Sequence, residues 1–232
     1  MLKELIDKFY LDKNKERTQT HFYITDAGKC SRATFFKFKK APKRELEARV
    51  LRMFDHGDLY HYFIMRALFG AREVRVVAGE LDIPPQEMIS GRADAILSIN
   101  NELYVLDIKS INSMIFERLE APKEENVNQL QLYLHFFQIP KGILLYVNKD
   151  NQDLKEFIVN YDRNLCSKLL NQFRELKKKI DSDIVPQPLP DYPGNWQCKY
   201  CQFREICDLI GKREITWQEF KKQIGEDFQE GS

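Results

Sequence analysis

The sequence predicts an α/β protein in which helices flank a central mixed β-sheet. Two observations support this: β-branched, partly alternating segments form two groups, and helical segments precede, separate and follow them. The chain has 232 residues, 43% hydrophobic and 31% charged, which is typical of a globular protein with one substantial core. No apolar run approaches the length of a membrane span, so we expect neither a membrane protein nor a disordered one.

The first third of the chain is predicted to be helical. Residues 1 to about 18 form a short charged helix, and a second helix runs from the caps Thr25 and Asp26 to about Phe38. A third helix extends from Leu46 to Phe69, where apolar residues recur at helical spacing.

Strands follow this helical region. Segments 72–83, 87–99 and 102–111 are rich in β-branched residues, and Asn100-Asn101 supplies a turn between the last two. We therefore predict three consecutive antiparallel strands.

The later elements alternate between helix and strand. In chain order we predict a helix from about Glu124 to Phe137, strands at 142–148 and 155–161, a helix capped by Asp162 and ending near Ile180, and an amphipathic helix near 217–224. Residues 184–195 contain four prolines and one glycine and should form an irregular strap.

Charge and cysteine content restrict the class further. Lys and Arg total 36 against 35 for Asp and Glu, a net charge of +1 that argues against a polycation but allows a local basic groove. The N-terminus lacks the apolar core and cleavage site of a secretory signal, so we expect a cytoplasmic protein. Its five cysteines, an odd number, then favour metal or cluster ligation over disulfides.

Acidic residues and a lysine lie on two neighbouring predicted strands. In Asp107-Ile108-Lys109 the pleat places both charged side chains on one face, and Asp94 can lie beside Asp107 across the strand pair. Two carboxylates in an apolar sheet face desolvation and mutual repulsion, which bound Mg²⁺ or Mn²⁺ relieves. The alternative is an ordinary half-buried hairpin with solvated or ion-paired side chains.

Two helices contribute further polar residues. His61 stands four residues after Gly57 on the helix before the strands. Gln129 precedes Tyr133 by four residues on the helix after the hairpin. Each feature alone is common on helices, where a lone histidine is usually a core residue.

Three cysteines stand close together as C-x2-C-x5-C, at Cys198, Cys201 and Cys207. Soft thiolate ligands select Zn²⁺ or an iron–sulfur cluster. A fourth ligand would be Cys30 or Cys166, and the residues alone leave this choice nearly even. Cys166 lies on an apolar helical face, whereas Cys30 is flanked by positive charge.

The ordered set G-x-x-x-H, G-x-x-D, D-x-K and Q-x-x-x-Y resembles the RecB-like branch of the PD-(D/E)XK nuclease superfamily. The resemblance implies a restriction-endonuclease-like core in which Mg²⁺ or Mn²⁺ is held by His61, Asp94, Asp107 and the Ile108 carbonyl. It also implies a catalytic group made of Asp94, Asp107, Lys109, Gln129 and Tyr133. In that group Lys109 matches the catalytic lysine, and the last two residues help to place DNA.

The cysteine arrangement is similar to that of the iron–sulfur RecB-like nucleases, which include CRISPR-associated nucleases, the AddB nuclease domain and exonuclease V relatives. This implies a [4Fe–4S] cluster, with zinc as the less favoured alternative, on Cys30, Cys198, Cys201 and Cys207. The cluster would act as a structural clamp joining the N- and C-terminal parts, because it closes a very long loop. Cys166 is then predicted to be buried and inert.

A basic run is the candidate for phosphate contacts. It consists of Lys37, Lys39, Lys40, Lys43 and Arg44. Phe35, Phe36 and Phe38 interleave with it and either stack on single-stranded bases or belong to the core. The cluster at 177–179 is interpreted as a solvated face.

These expectations combine into one hypothesis. The chain is a single nuclease domain, 1–232, whose segments 24–45 and 184–210 form the iron–sulfur region and whose core is 46–183. The resemblance implies a metal-dependent exonuclease acting on single-stranded DNA, of the CRISPR-associated type that processes prespacers beside an integrase complex. The alternatives are a repair or mobile-element nuclease without CRISPR partners, or a DNA-binding scaffold with weak catalysis.

Overall fold

A computed structural model describes residues 1–14, 18–84, 86 and 88–225. The described chain divides into two compact units. The first comprises Met1–Asn14, His21–Gly28 and Glu47–Leu169, and the second consists mainly of Lys29–Leu46 and residues 170–225. The predicted single-domain organisation, with its internal boundaries, stays a prediction.

Regular elements fill most of the described chain. The helices are α1 (Leu2–Lys13), α2 (Ser31–Phe38), α3 (Ala48–Gly70), α4 (Ser113–Glu117), α5 (Glu124–Phe137), α6 (Arg163–Asp181), α7 (Trp196–Lys199), α8 (Arg204–Ile210) and α9 (Trp217–Ile224). The strands are β1 (Phe22–Tyr23), β2 (Val74–Asp82), β3 (Ile89–Ser90), β4 (Arg92–Ile99), β5 (Glu102–Ile111), β6 (Lys141–Asn148), β7 (Leu154–Asn160), β8 (Ile184–Val185) and β9 (Ile215–Thr216).

The first unit contains a five-stranded sheet in the order β2-β4-β5-β6-β7. Strands β5 and β6 are parallel, and the other neighbouring pairs are antiparallel. The predicted mixed sheet with flanking helices is therefore confirmed, as are the three consecutive antiparallel strands. The parallel pair follows from the helices between β5 and β6, because a parallel partner requires a crossover connection.

The hairpin of β4 and β5 presents the acidic residues. Its turn is Asn100-Asn101, with φ of +52° and +66°, a left-handed conformation that asparagine tolerates. Leu106 and Ile108 are buried in the core that α3 covers. Because side chains alternate along a strand, the intervening Asp107 faces the opposite side, towards α5.

The helix boundaries differ from prediction mainly at α2. The residues Ile24–Asp26 form a 3-10 helix, and Gly28 follows with φ of +71°, which ends that turn. Helix α2 therefore starts at Ser31 with Cys30 as its N-cap, so Thr25 and Asp26 are not its caps. The predicted N-terminal helix ends at Lys13, and residues 15–17 lie outside the described chain.

Helix α6 confirms two predictions. The Asp162 carboxylate accepts the N–H groups of Asn164 and Leu165 at 2.8 and 3.0 Å, which caps the helix. Cys166 is 1% exposed and begins a buried stripe at helical spacing. That stripe consists of Cys166, Leu169, Phe173, Leu176 and Ile180.

The second unit has an aromatic core. The Phe36 ring lies 5.0 Å from that of Phe220 and 5.5 Å from that of Phe203, and Trp217 stacks on Phe220 at 5.1 Å. These ring contacts position helix α9 within the second unit. The strap at 184–195 is irregular except for β8, which pairs with β9. No described helix is both long and apolar enough to cross a bilayer.

Candidate functional site

The six side chains of the sequence motifs line one cleft of about 520 Å³ in the first unit. They are His61 of α3, Asp94 of β4, Asp107 and Lys109 of β5, and Gln129 and Tyr133 of α5. The fold therefore brings together residues that four separate elements supply.

Asp94 is fixed where the β4–β5 ladder ends. The last paired residues before this end are Ala95 and Leu106. Beyond them, Asp94 Oδ2 accepts the backbone N–H of Ile108 at 2.6 Å. The carboxylate thus replaces the backbone carbonyl that a paired strand would offer to this N–H. Its Oδ1 lies 2.9 Å from His61 Nδ1. Asp94 is thus held beside the strand that carries Asp107.

Asp107, Lys109 and Gln129 form a hydrogen-bonded triangle. Lys109 Nζ donates to Asp107 Oδ1 at 2.9 Å and to Gln129 Oε1 at 3.0 Å, while Gln129 Nε2 donates to Asp107 Oδ1 at 3.2 Å. The predicted common face of Asp107 and Lys109 is confirmed by this contact. The ordinary solvated hairpin does not describe the site, because the Asp107 side chain is only 3% exposed.

One oxygen of this triangle lacks a donor. Lys109 Nζ is also 2.9 Å from Asp107 Oδ2, but only the Oδ1 contact has hydrogen-bond geometry, and no described residue donates to Oδ2. Burial raises the pKa of Asp107 to about 6, with Lys109 opposing the rise and the Asp94 charge adding to it. A buried carboxylate oxygen of this kind is a ready ligand for a hard cation.

The metal-free protein should therefore gain stability when Asp107 loses its charge. Above pH 6 the ionised, buried carboxylate destabilises the fold by about 3 kcal/mol relative to the unfolded chain, and this penalty disappears as the pH falls through 6 towards 4. In EDTA at pH 7.5, Asp107→Asn should unfold several degrees higher than wild type, with the difference vanishing near pH 4. Thermal unfolding across this pH range tests the prediction, which a lower Tm of Asp107→Asn at pH 7.5 contradicts.

Tyr133 of α5 links its helix to strand β4 at the cleft. Its hydroxyl donates to the Arg92 carbonyl at 2.6 Å and lies 3.5 Å from Gln129 Nε2. Burial raises the pKa of Tyr133, so the hydroxyl stays protonated and remains a donor. Tyr133 therefore connects β4 to Gln129 and positions its amide.

His61 joins the site through its contact with Asp94. The hydrogen bond to Asp94 raises the pKa of His61, although burial opposes this. Its side chain is 37% exposed, compared with 18% for Asp94, so the imidazole lies nearer to solvent.

Close packing explains why Gly91, the glycine of G-x-x-D, has no side chain. A Cβ on Gly91 would lie 2.8 Å from the Ile24 side chain, which is fully buried in the 3-10 helix. Only glycine allows this approach, which places the following residues of β4 at the cleft.

Five polar residues that line the cleft were not predicted from the sequence to belong to the site. They are Tyr23, Thr25, Asp58, Glu80 and Arg92. Arg92 stands inside G-x-x-D, and its guanidinium lies 3.4 Å from the Glu80 carboxylate. A basic residue inside an acidic motif was the one available signal, whereas the others reach the cleft through tertiary structure.

The donor set of the cleft suits a divalent cation chemically. Two carboxylates and an imidazole are hard or borderline ligands, and Asp107 Oδ2 is available. In the described chain, no three His, Cys, Asp or Glu side chains are arranged to hold a single ion. His61 and Asp94 are instead hydrogen-bonded to each other. The role of the Ile108 carbonyl stays a prediction.

The second unit contains another cavity, of about 250 Å³, lined by the four cysteines of the predicted cluster. Cys30 caps α2, Cys198 lies on α7 and Cys207 lies on α8, with Cys201 between the last two. Gln197 helps to bring these parts together, because its Oε1 accepts the Cys30 N–H at 3.2 Å. Cys166 is not among the lining residues of this cavity.

The thiols of this cavity interact electrostatically. Burial raises the pKa of Cys198, Cys201 and Cys207, and charge on the neighbouring cysteines adds to the rise. The four residues line one space without converging on a single point, since no described trio suits one ion.

The basic run has a mixed environment. Phe35 and Phe36 are fully buried, so they belong to the core and do not stack on bases. Lys39 pairs with Asp183. The 177–179 cluster is a solvated, ion-paired face as predicted, with partners Asp181, Glu175 and Glu214.

Comparisons with known proteins agree with these observations. The CRISPR-associated exonuclease Cas4 of Saccharolobus solfataricus is 27% identical to this chain over 216 residues, which cover 88% of this chain and 98% of that protein. The crystal structure of the protein SSO0001 has a TM-score of 0.57 and 26% identity, covering 89% of this chain and 96% of that one. A family model described as the PD-(D/E)XK nuclease superfamily matches residues 10–208. Since this match covers most of the chain, the protein belongs to the PD-(D/E)XK nuclease superfamily.

Proposed function

We propose that this protein is a divalent-metal-dependent DNA exonuclease of the Cas4 type. The observation that carries the proposal is the buried triangle of Asp107, Lys109 and Gln129, with Asp107 Oδ2 available for a cation. Similarity to the Cas4 exonuclease supports the reaction type. Superfamily membership supports the metal requirement, because these nucleases use divalent metals.

The proposed metal ligands are His61, Asp94, Asp107 and the Ile108 carbonyl. Bound Mg²⁺ or Mn²⁺ supplies Lewis acidity and lowers the pKa of water. The protein supplies the anionic donors and keeps them close to the sheet, where the Ile108 N–H orients Asp94. Burial disfavours the ionised form of Asp107 that binding needs, and the adjacent Lys109 ammonium opposes this effect and so limits the rise in its pKa.

Lys109 has the proposed catalytic role. Its side chain lines the cleft and is 23% exposed, and its ammonium is held by Asp107 and Gln129, so a phosphate bound in the cleft would lie within reach of a fixed positive charge. A fixed cation there stabilises the charge that develops on a phosphodiester oxygen or orients the attacking water. Gln129 and Tyr133 position this ammonium through their hydrogen bonds.

The four cavity-lining cysteines are proposed to hold a [4Fe–4S] cluster. Support comes from their shared cavity of about 250 Å³ and from the thiolate preference of iron–sulfur centres. The proposed role is a clamp within the second unit that ties α2 to the Cys198–Cys207 segment. Zinc bound stoichiometrically to the purified protein would contradict the cluster.

The proposed substrate is single-stranded DNA, and the proposed context is prespacer trimming beside a CRISPR integrase complex. The experiment is digestion of end-labelled single-stranded DNA with Mn²⁺, where progressive release of mononucleotides supports an exonuclease. Internal fragments alone, or no products, would contradict the exonuclease activity.

The genomic neighbourhood tests the proposed context. A gene next to a CRISPR array supports prespacer trimming, and a repair or mobile-element neighbourhood contradicts it.

Phosphate contacts by the basic run make a separate prediction. Lys40 and Lys43 are exposed, and each phosphate contact to a single strand contributes about 0.7 to the slope of log affinity against log salt. Replacing both by glutamine should weaken binding and reduce that slope by about 1.4. Lys177→Gln with Lys178→Gln is the matched control and should leave the slope unchanged. Equal slopes for the two double variants would exclude the run as a DNA contact.

A further inference from the structure

A fully buried arginine lies beside the cysteine cavity. Arg32, on the first turn of α2, is 0% exposed and heads the fully buried side chains ordered by volume. Arginine remains protonated in proteins, so its charge cannot be relieved by losing a proton. Burying an ion costs several kcal/mol unless a counter-charge and hydrogen bonds compensate. Arg32 therefore requires an explanation beyond packing.

The guanidinium is hydrogen-bonded to neutral groups. Its Nε donates to the Pro186 carbonyl at 2.6 Å, Nη1 to the Gly211 carbonyl at 2.6 Å, and Nη2 to the Arg213 carbonyl at 2.7 Å. Nη1 also lies 3.5 Å from Cys207 Sγ. Each guanidinium nitrogen therefore has a hydrogen-bond acceptor, but none of these acceptors is a carboxylate, so within the described residues its hydrogen bonds supply no counter-charge.

The cavity beside Arg32 is where an anion would form. Cys207 and three other cysteines line it together with Arg32. Cysteine binds metal as the thiolate, so four bound thiolates bring four negative charges into the cavity. A [4Fe–4S] core in its usual oxidised form carries two positive charges, which leaves the loaded centre with a net charge of about −2.

We propose that Arg32 is the buried counter-cation of this anionic centre and that its N–H···S contact with Cys207 tunes the reduction potential of the cluster. The inference rests on the proposed [4Fe–4S] cluster. A fixed positive charge and a donor to a ligand sulfur both stabilise the more negative, reduced cluster, so Arg32 raises the potential. A lysine cannot reproduce this, because only the planar fork reaches three carbonyls and a sulfur at once.

Arg204 is a natural comparison at the same cavity. It also lines the cavity, but its side chain is 35% exposed and its Nε pairs with the Asp208 carboxylate at 2.7 Å. Its charge is already balanced and is screened by solvent. Removing the Arg204 charge should therefore affect the cluster much less than removing that of Arg32.

The experiment compares wild type with Arg32→Gln, Arg32→Lys and the control Arg204→Gln after anaerobic reconstitution with iron and sulfide. We expect Arg32→Gln to have a more negative midpoint potential and to lose iron to a chelator about 10–100-fold faster. Arg32→Lys should be intermediate, and Arg204→Gln close to wild type. A purely structural role for Arg32 would lower the Tm of cluster-free protein and leave the potential unchanged, and that result overturns the proposal.

A second measurement does not require any Arg32 variant to fold. In Arg204→Gln protein labelled with [¹⁵N]guanidino-arginine, Arg32 is the one arginine left among the described residues that line the cavity. Pulsed EPR of its reduced cluster should detect a ¹⁵N coupling, and the absence of that coupling overturns the proposal. Wild type that binds no iron–sulfur cluster overturns both this inference and the proposed cluster, whereas a bound cluster insensitive to Arg32 overturns the inference alone.

Discussion

Replacing Lys109 by alanine is expected to slow Mn²⁺-dependent degradation of single-stranded DNA by about 10²–10³-fold, the usual effect of deleting one charge-stabilising donor at a reaction centre. Nζ is fixed by Asp107 at 2.9 Å and Gln129 at 3.0 Å, so the ammonium is already oriented before substrate binds. Alanine removes the charge and leaves the cleft without a cation at this position. Rates measured with saturating DNA and Mn²⁺ report the loss.

The same substitution also removes the cation that opposes the raised pKa of Asp107. Lys109→Ala should therefore destabilise the metal-free protein at neutral pH, and rates must be measured below its unfolding transition. Combining it with Asp107→Asn should restore the Tm without restoring activity, because the buried charge is gone but the reaction centre is still incomplete. A restored Tm would show that the stability lost in Lys109→Ala comes from the uncompensated charge of Asp107.

Lys141→Ala is the matched control for Lys109→Ala. Lys141 lies on the neighbouring strand β6, where its Nζ pairs with Glu102 Oε2 at 2.8 Å outside the cleft. An exposed ion pair of this kind contributes little to stability, so this variant should retain full activity and a near-native Tm. Equal rates for wild type and Lys109→Ala would contradict the proposed site.

The contact between Asp107 and Lys109 was predictable because strand geometry is local. A period of two places both side chains on one face whatever the rest of the chain does. The hairpin was predictable for the same reason, since Asn100 and Asn101 accept the left-handed backbone that the turn needs. Helix α5 matched its predicted bounds, Glu124–Phe137, and thereby placed the helical motif.

The remaining geometry depends on tertiary structure. That Asp94 accepts the Ile108 N–H follows from where the β4–β5 ladder stops, which no local pattern specifies. Arg92 contributes its carbonyl to Tyr133, a backbone interaction that leaves no trace in residue type. Phe35 was ambiguous in sequence because apolar residues beside lysines occur both in cores and at nucleic-acid surfaces, and only its packing against Trp217 decides.

Replacing Cys207 by alanine is expected to abolish the proposed [4Fe–4S] cluster and lower the Tm of the purified protein by about 10–20 °C. Cys30 and Cys207 are separated by most of the chain, and by analogy with a cross-link, closing so long a loop contributes about 5 kcal/mol. For a protein of this size each kcal/mol corresponds to about 2–4 °C. Iron and sulfide content, the absorbance near 400 nm of the anaerobically purified protein, and thermal unfolding measure the two losses together.

Cys166→Ala separates loss of the cluster from loss of a cysteine. Cys166 is buried in α6, where burial raises the pKa of its thiol, and it is absent from the lining of the cluster cavity. Its replacement should lower the Tm modestly by leaving a small void, while iron content stays at the wild-type value. Iron loss in Cys166→Ala would contradict the four-ligand assignment.

Iron chelation distinguishes a cluster that stabilises the second unit from one that only occupies a cavity. If the cluster ties α2 to the Cys198–Cys207 segment, chelation of wild-type iron should lower the Tm to that of Cys207→Ala, and chelation should not change Cys207→Ala further. If the cluster only occupies a cavity that other contacts hold closed, chelation should leave the wild-type Tm nearly unchanged. The second pattern is possible because the aromatic core of Phe36, Trp217 and Phe220 already joins α2 to the C-terminal helix. The size of the shift therefore measures how much of the stability of this unit depends on the cluster and how much on aromatic packing.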